Sequence, residues 1–440
     1  CFESHIVTYY EEGYVDSYML KKLLFSDTTS LVVGQVLSIL LGYLLIVYLA
    51  RSFAPEVYGA YAFSISIISW LELILTIGFH NYIISFDVMN NKSKIKKIIS
   101  IQILSAITLS LLVLSYLFFF YSDGNRKIFW IIVCAVLDFI PFALYSTNVA
   151  IINEMKKFRH QSALIITYSF LKLAFMIVLS EVFSSIEIAV IGMALSSFLT
   201  FCISYKSLSK IFWACPSKSC STPYRDALRN IAISVFIVIA TGVLINIDFW
   251  CLKANNPSDM TLIGNYGVVT NFSRAFYFIV SVIFYKYYVM LKGYPSILES
   301  MKAWGVIKNL LTVILLFCAY TIATHTILDY VISLFFGNAY VDSAVIGQNI
   351  LPYQGAFFVS IFMIQSFFYT RSKVTVLSVL IINIFIFYLL MLLLYQHFEL
   401  NSIKYTHGTL FILNTLLFLG LLTLNRPIAQ TAITKGNNHE

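Results

Sequence analysis

Residues 31–76 read LVVGQVLSILLGYLLIVYLARSFAPEVYGAYAFSISIISWLELILT. An apolar run ends at Ala50, a short polar passage from Arg51 to Glu56 follows, and a second apolar run begins at once. A helix that crosses a bilayer needs about 20 predominantly apolar residues, and this stretch holds two such helices joined by a tight outer turn. The runs are continuous rather than alternating, which points to helices and not to the strands of a barrel. Outward from here the pattern repeats to both ends. Spans are predicted near 30–50, 61–83, 98–121, 128–151, 162–182 and 186–204, and near 229–250, 266–290, 306–332, 346–369, 374–396 and 408–424. Of 440 residues 59% are apolar and 11% charged, with a mean hydropathy of +0.84. Soluble domains carry roughly 25% charged residues, so a water-facing surface cannot be built from this chain. The sequence predicts an all-α polytopic membrane protein of about twelve spans.

The net charge is +8, and its placement argues against nucleic acid as a partner. With both termini on the cytoplasmic side, 22 of the 29 Lys and Arg residues fall in inner segments. Examples are Lys92, Lys94, Lys96 and Lys97, Lys156, Lys157 and Arg159, and Arg371 with Lys373. Five lie outside (Arg51, Arg126, Lys127, Lys253 and Lys404), and Lys172 and Arg274 lie within spans. This is the positive-inside pattern.

The longest polar break, Lys206–Arg229, leaves six spans on either side. The chain is therefore expected to divide into an N-terminal six-helix lobe over 19–212, a cytoplasmic linker over 213–228, a C-terminal six-helix lobe over 229–425 and a tail over 426–440. Six spans per half make the halves parallel repeats about an axis normal to the membrane. Gly59-Ala60-Tyr61 and Gly264-Asn265-Tyr266 open the second span of each half in the same way. Residues 1–18 are polar and acidic, while Met19-Leu20-Lys21-Lys22 resembles a natural start, so 1–18 is expected to be upstream translated sequence. Cys215 and Cys220 face the cytoplasm, where disulfides rarely persist, and their spacing is a poor zinc signal.

Two-lobed proteins of this kind hold substrate at the midplane between lobes and work by alternating access. Charges inside spans are costly and usually face a cavity or one another. Glu72, Asp138 and Lys172 sit at similar depth in the first half. Lys172 either pairs with one acid to lock helices or serves a substrate; the acid left over is a candidate for H⁺ or Na⁺ coupling. Asp248 near an outer helix end is a third coupling candidate. Pro141 frees a carbonyl one turn back and favours a kink near Asp138. Arg274 either snorkels outward or offers its planar fork to a phosphate. Arg51 is a further, more exposed candidate cation. His80, His325, His397 and His407 are scattered near predicted span ends and read as interfacial residues. No paired metal ligands, phosphate loop or nucleophile elbow appear, so neither catalysis nor a cofactor is expected.

From Leu49 to Tyr61, with Ala50-Arg51, Pro55-Glu56 and Tyr58-Gly59-Ala60-Tyr61, the sequence resembles the start of the Wzx-type polysaccharide flippases. That family shares a superfamily with multidrug (MATE) antiporters and lipid II flippases. Gly78-Phe79 resembles its Gly-hydrophobic kink, Asp248 with Gly264-Asn265-Tyr266 its Asp…Gly-x-Tyr element, and Leu334–Tyr340 its Phe-Gly-x-x-Tyr element. The resemblance covers essentially residues 19–425. Two departures stand out: Phe53-Ala54 where Leu-Gly is usual, and Asn271 where relatives often carry Arg or Lys, with Arg274 one turn later. The resemblance implies a MATE-like fold in a bacterial inner membrane. It implies export of undecaprenyl-pyrophosphate-linked O-antigen or capsule repeat units through a cationic cavity, which suits Lys172 and Arg274. It also implies membrane lipid, a polysaccharide polymerase and a chain-length regulator as partners. The competing readings are a drug or cation antiporter of the same fold, for which an acid-lined cavity would speak, and a membrane polymerase or glycosyltransferase.

Overall fold

A computed structural model describes residues 27–85, 92–120, 126–155, 157–212, 224–291, 304–365 and 373–423. These fold into fourteen α-helices and one 3-10 turn, with no strand among the described residues. The first lobe holds α1 (Asp27–Ser52), α2 (Pro55–Ser85), α3 (Lys92–Phe120), α4 (Arg126–Val136), α5 (Phe139–Glu154), α6 (Phe158–Phe183) and α7 (Ile186–Phe212). The second holds α8 (Tyr224–Asn255), α9 (Met260–Leu291), α10 (Trp304–Thr326), α11 (Leu328–Phe336), α12 (Val341–Gln365), α13 (Lys373–Phe398) and α14 (Asn401–Thr423), with the 3-10 turn Asn338–Tyr340 between α11 and α12. The protein is thus a multi-pass, two-lobed membrane protein. The proposed segments 1–18 and 426–440 and both Cys215 and Cys220 lie outside the described residues.

Among the described residues, eight helices are individually long and apolar enough to cross a bilayer, and the pair α4–α5, bent by 44°, makes a ninth if it is one span. The helices α9, α12 and α14 reach 32, 25 and 23 residues, and their buried polar side chains (Asn271, Gln354 and His407) dilute their hydropathy. The bend falls where Pro141 has no N–H for the carbonyl of Leu137, and α5 restarts with Phe142 N–H to Asp138 O at 2.8 Å. One predicted span is corrected. The run 306–332 is two helices, because α10 ends at Thr326 and α11 sets off separately at Leu328. The break falls beside Thr324-His325-Thr326, with Asp329 just after it, a polar patch too short to interrupt a hydropathy window of about 20 residues. By contrast α2 is continuous through Gly78.

Local chemistry sets the turns. Pro55 and Glu56 open α2, where a missing N–H costs nothing and a negative charge meets the helix dipole. Ser184, in the left-handed conformation (φ 50°), ends α6, and Ser185 Oγ caps α7 through the N–H of Ile188 at 3.3 Å.

Within the bilayer, packing and interhelical hydrogen bonds hold helices together. Ser38 and Ser169 hydroxyls join α1 to α6 at 2.6 Å, and Asn148 donates to Ser204 (α5–α7) at 2.7 Å. In the second lobe Gln365 donates to Thr241 (α12–α8) at 2.8 Å and Asn414 to Ser360 (α14–α12) at 3.1 Å. The lobes meet mainly through α2, which packs against α9 and α8. Trp250 Nε1 donates to Ser66 Oγ at 2.9 Å, and the Trp70 and Trp250 rings meet edge-on at 5.6 Å. Where α2 and α9 begin, the backbones touch. A Cβ on Gly59 would strike Met260 O and Gly264 N, and one on Gly264 would strike Pro55 O and Gly59 N. Each glycine faces the carbonyl that lies four residues before the other. This reciprocity is a local two-fold, and it sits on the Gly-x-Tyr pair.

Candidate functional site

Between the lobes lies a cavity of about 260 Å³, walled by α1, α2, α6 and α9. Tyr58, Tyr168, Lys172, Asn271 and Arg274 supply polar groups to it. Its lining contains two cations and no carboxylate among the described residues. Lys172 comes from the middle of α6 and Arg274 from α9, one from each lobe, as midplane charges in a cavity should.

Arg274 does not snorkel. Its Nη2 donates to Asn246 Oδ1 on α8 at 2.6 Å, and Asn246 is itself fixed by donating to Gly242 O at 2.8 Å. The remaining guanidinium donors stay with a side chain that faces the cavity. Lys172 Nζ lies 5.9 Å from the centroid of the Tyr168 ring, within cation–π range.

Behind Lys172 is the acidic cluster of the first lobe. Glu72 on α2 and Asp138 at the α4–α5 bend interact electrostatically with each other and with Lys172. No ion pair within 4.0 Å joins Lys172 to either acid among the described residues. Asp138 is fully buried and neighbours Ser197 on α7, although neither side chain makes a hydrogen bond of normal geometry among the described residues. Glu72 Oε1 is likewise buried without a partner among the described residues. Neither acid lines the cavity. All three midplane charges of the first half therefore gather in one place, and neither acid is marked as the spare.

Asp248 belongs to a second buried cluster in the other lobe. Tyr266 Oη donates to Asp248 Oδ2 at 2.5 Å, the Gln354 amide donates to the same oxygen, and Phe249 N–H donates to Oδ1 at 2.7 Å. His407 Nε2 stands 4.0 Å from Oδ2. His407 is buried on α14 and held through Nδ1 to Ile403 O at 2.9 Å, so the interfacial reading of this histidine is corrected. The predicted span began at 408, whereas α14 starts at Asn401 and carries His407 into the lobe. Nothing in the sequence marks Asn246 or Gln354, because lone amides have no spacing signature.

Arg51 is elsewhere. It ends α1, is exposed, and donates to Leu334 O on α11, outside the cavity lining. Gly78-Phe79 lies within α2, with its side chains outside the described ones.

Comparison with known proteins places these features in context. The family model described as polysaccharide biosynthesis protein matches residues 24–285. No curated protein matches the chain. Among solved structures, the lipid II flippase MurJ in an inward closed conformation aligns with TM-score 0.70 at 14% identity, covering 89% of this chain and 87% of that one. An inward-facing multidrug resistance MATE family transporter aligns at 0.67 and 9%, covering 90% and 98%. A point mutant of the Vibrio cholerae MATE transporter VcmN aligns at 0.63 and 12%, covering 93% and 98%. At such identities these likenesses establish the fold.

Proposed function

This chain belongs to the polysaccharide biosynthesis protein family, and from that premise we propose that it is a flippase for an anionic, lipid-linked oligosaccharide. The cargo is an undecaprenyl-pyrophosphate-linked repeat unit of an O antigen or capsule. It passes from the inner to the outer leaflet of a bacterial plasma membrane by alternating access. There it becomes substrate for the polymerase and the chain-length regulator.

The sign of the cavity carries this reading: one cation from each lobe and, among the described residues, no acid in the lining. A pyrophosphate cannot enter hydrocarbon about 30 Å thick without replacement of its hydration. Arg274 supplies paired donors to an oxyanion and Lys172 a point charge. Their placement on opposite lobes lets one headgroup bridge the halves. The cavity is slightly smaller than the roughly 300–1,000 Å³ of pockets for drug-sized ligands. It suits a diphosphate, and the lobes must part further to admit several sugars. The lipid tail stays in the bilayer and passes through a lateral gap.

Coupling to H⁺ or Na⁺ falls to the buried acids. Asp248, which stands beside His407, is the candidate in the second lobe, with Glu72 and Asp138 as the candidates of the first. An antiporter for cationic drugs has the opposite need, and the lining charges repel its cargo. The polymerase reading calls for a large outer loop, which this sequence lacks.

Deletion with complementation tests the proposal. The deletion strain should accumulate lipid-linked repeat unit on the inner face, and the intact gene should clear it. Lys172→Gln and Arg274→Gln should each lower surface polysaccharide at least about tenfold, equivalent to about 1.4 kcal/mol, with the protein still in the membrane. Normal polysaccharide in both variants would remove these residues from the site.

A further inference from the structure

The Phe-Gly-x-x-Tyr element, Phe336-Gly337-Asn338-Ala339-Tyr340, does not line the cavity, yet it touches the other lobe at two points. Its helix, α11, has 9 residues, about 13 Å at 1.5 Å per residue, and cannot span a bilayer. Gly337 has φ 86°, a left-handed value that L side chains avoid, and it turns the chain so that Phe336 and Tyr340 both point inward. Their rings lie 6.2 Å apart.

Phe336 meets Tyr43 of α1 edge-on at 6.2 Å and Phe272 of α9 at 6.1 Å. Tyr340 meets Tyr58 of α2 edge-on at 5.8 Å. Arg51 of α1 donates to Leu334 O, and Asn271 of α9 donates to Tyr58 Oη at 3.0 Å. The hydroxyls of Tyr43 and Tyr340 are buried without partners among the described residues, so these two tyrosines make their contacts through their rings. Every contact joins a first-lobe residue on α1 or α2 to the second lobe, except the Phe336–Phe272 pair that braces it. Arg51 and Tyr58 lie at the outer ends of α1 and α2, beside the Gly59–Gly264 crossing, while Tyr43, Asn271 and Phe272 lie about two to three turns deeper. Tyr58 and Asn271 also line the cavity, so the contact set is its outer roof.

We infer that residues 334–340 form a clasp that holds the lobes shut on the outer side, with Tyr58 as its catch, and that cargo leaves outward only when Tyr58 parts from Tyr340 and Asn271. The clasp explains why Arg51 stands away from the cavity: it ties the end of α1 to the backbone of α11. Asn271 lies one turn before Arg274 on α9, so a helix shift that moves the cation also moves the catch. The inference rests on alternating access and is independent of the cargo's identity.

The test introduces a thiol in the cavity wall, Ser38→Cys, and reads its modification by a membrane-impermeant maleimide added outside intact cells. The signal is the increment over the chain without that cysteine. Each edge-to-face ring pair shifts an equilibrium by roughly two- to tenfold, so Tyr340→Ala should raise the external labelling rate by about that factor. Gly337→Ala meets open space and acts through backbone strain alone, and it should raise the rate as well. Tyr340→Phe keeps the ring and should label like the parent. If Tyr340→Ala does not accumulate in the membrane, Tyr58→Phe loses only the bond to Asn271 and should give a smaller rise. Parental rates in Gly337→Ala and in Tyr58→Phe would overturn the clasp, as would a rise with Tyr340→Phe. Labelling needs no glycan, so failure of the clasp and failure of the flippase reading are read separately.

Discussion

Arg274 and Asp248 show how much a single position depends on its neighbours. Both are visible in the sequence as charges where charge is costly, and their depth can be read from their place along a span. Their partners cannot. Gln354 is 106 residues from Asp248 in sequence, and Asn246 reaches Arg274 across a helix turnaround. A buried carboxylate needs donors, and here Tyr266, Gln354 and the Phe249 N–H supply them. A hydrogen bond to a charged group contributes about 1.5–3 kcal/mol. Tyr266→Phe should therefore lower the melting temperature of the detergent-solubilised protein, while leaving the cavity cations in place. An unchanged melting curve would mean that the Asp248 carboxylate does not depend on this donor.

Helices are the level at which the sequence speaks most clearly, because hydropathy over about 20 residues needs no knowledge of the fold. The bend at Asp138 is foreseeable from Pro141, whereas the break after Thr326 carries no proline and only a short polar patch, Thr324-His325-Thr326, that a window of about 20 residues averages away. Helix contacts are less legible than helix lengths. The Gly-x-Tyr pair marks the start of α2 and α9, yet its glycines prove to be the place where those two helices cross. Gly59→Val would press a branched side chain on backbone atoms that cannot rotate away. Overpacking typically costs about 1–3 kcal/mol, so this variant should melt earlier and label more readily from outside. Gly420→Ala meets open space in the last turns of α14 and should be neutral or gain up to about 1 kcal/mol of helix propensity. Equal melting behaviour of the two variants would refute a tight crossing.

At the scale of the whole molecule, orientation follows from loop charge and can be checked without reference to any cavity. A cysteine placed within 213–223 should react only with reagents that reach the cytoplasm, and one within 121–125 only with reagents outside; the reverse pattern would invert the assignment. The sequence by itself determined that this chain lives in a membrane and that it is built of helices in two halves, and its loop charges predict on which side each loop lies. Those properties depend on composition and on spacing along one chain. Tertiary structure alone decided that Lys172 and Arg274 share a cavity while Arg51 ties α1 to α11, and that Asp248 and His407 meet. Depth in the bilayer is fixed by a rise of 1.5 Å per residue. Which helix a side chain faces is fixed by how the helices pack, and in an apolar solvent that packing turns on close contacts and single hydrogen bonds, which leave no periodic trace in the sequence.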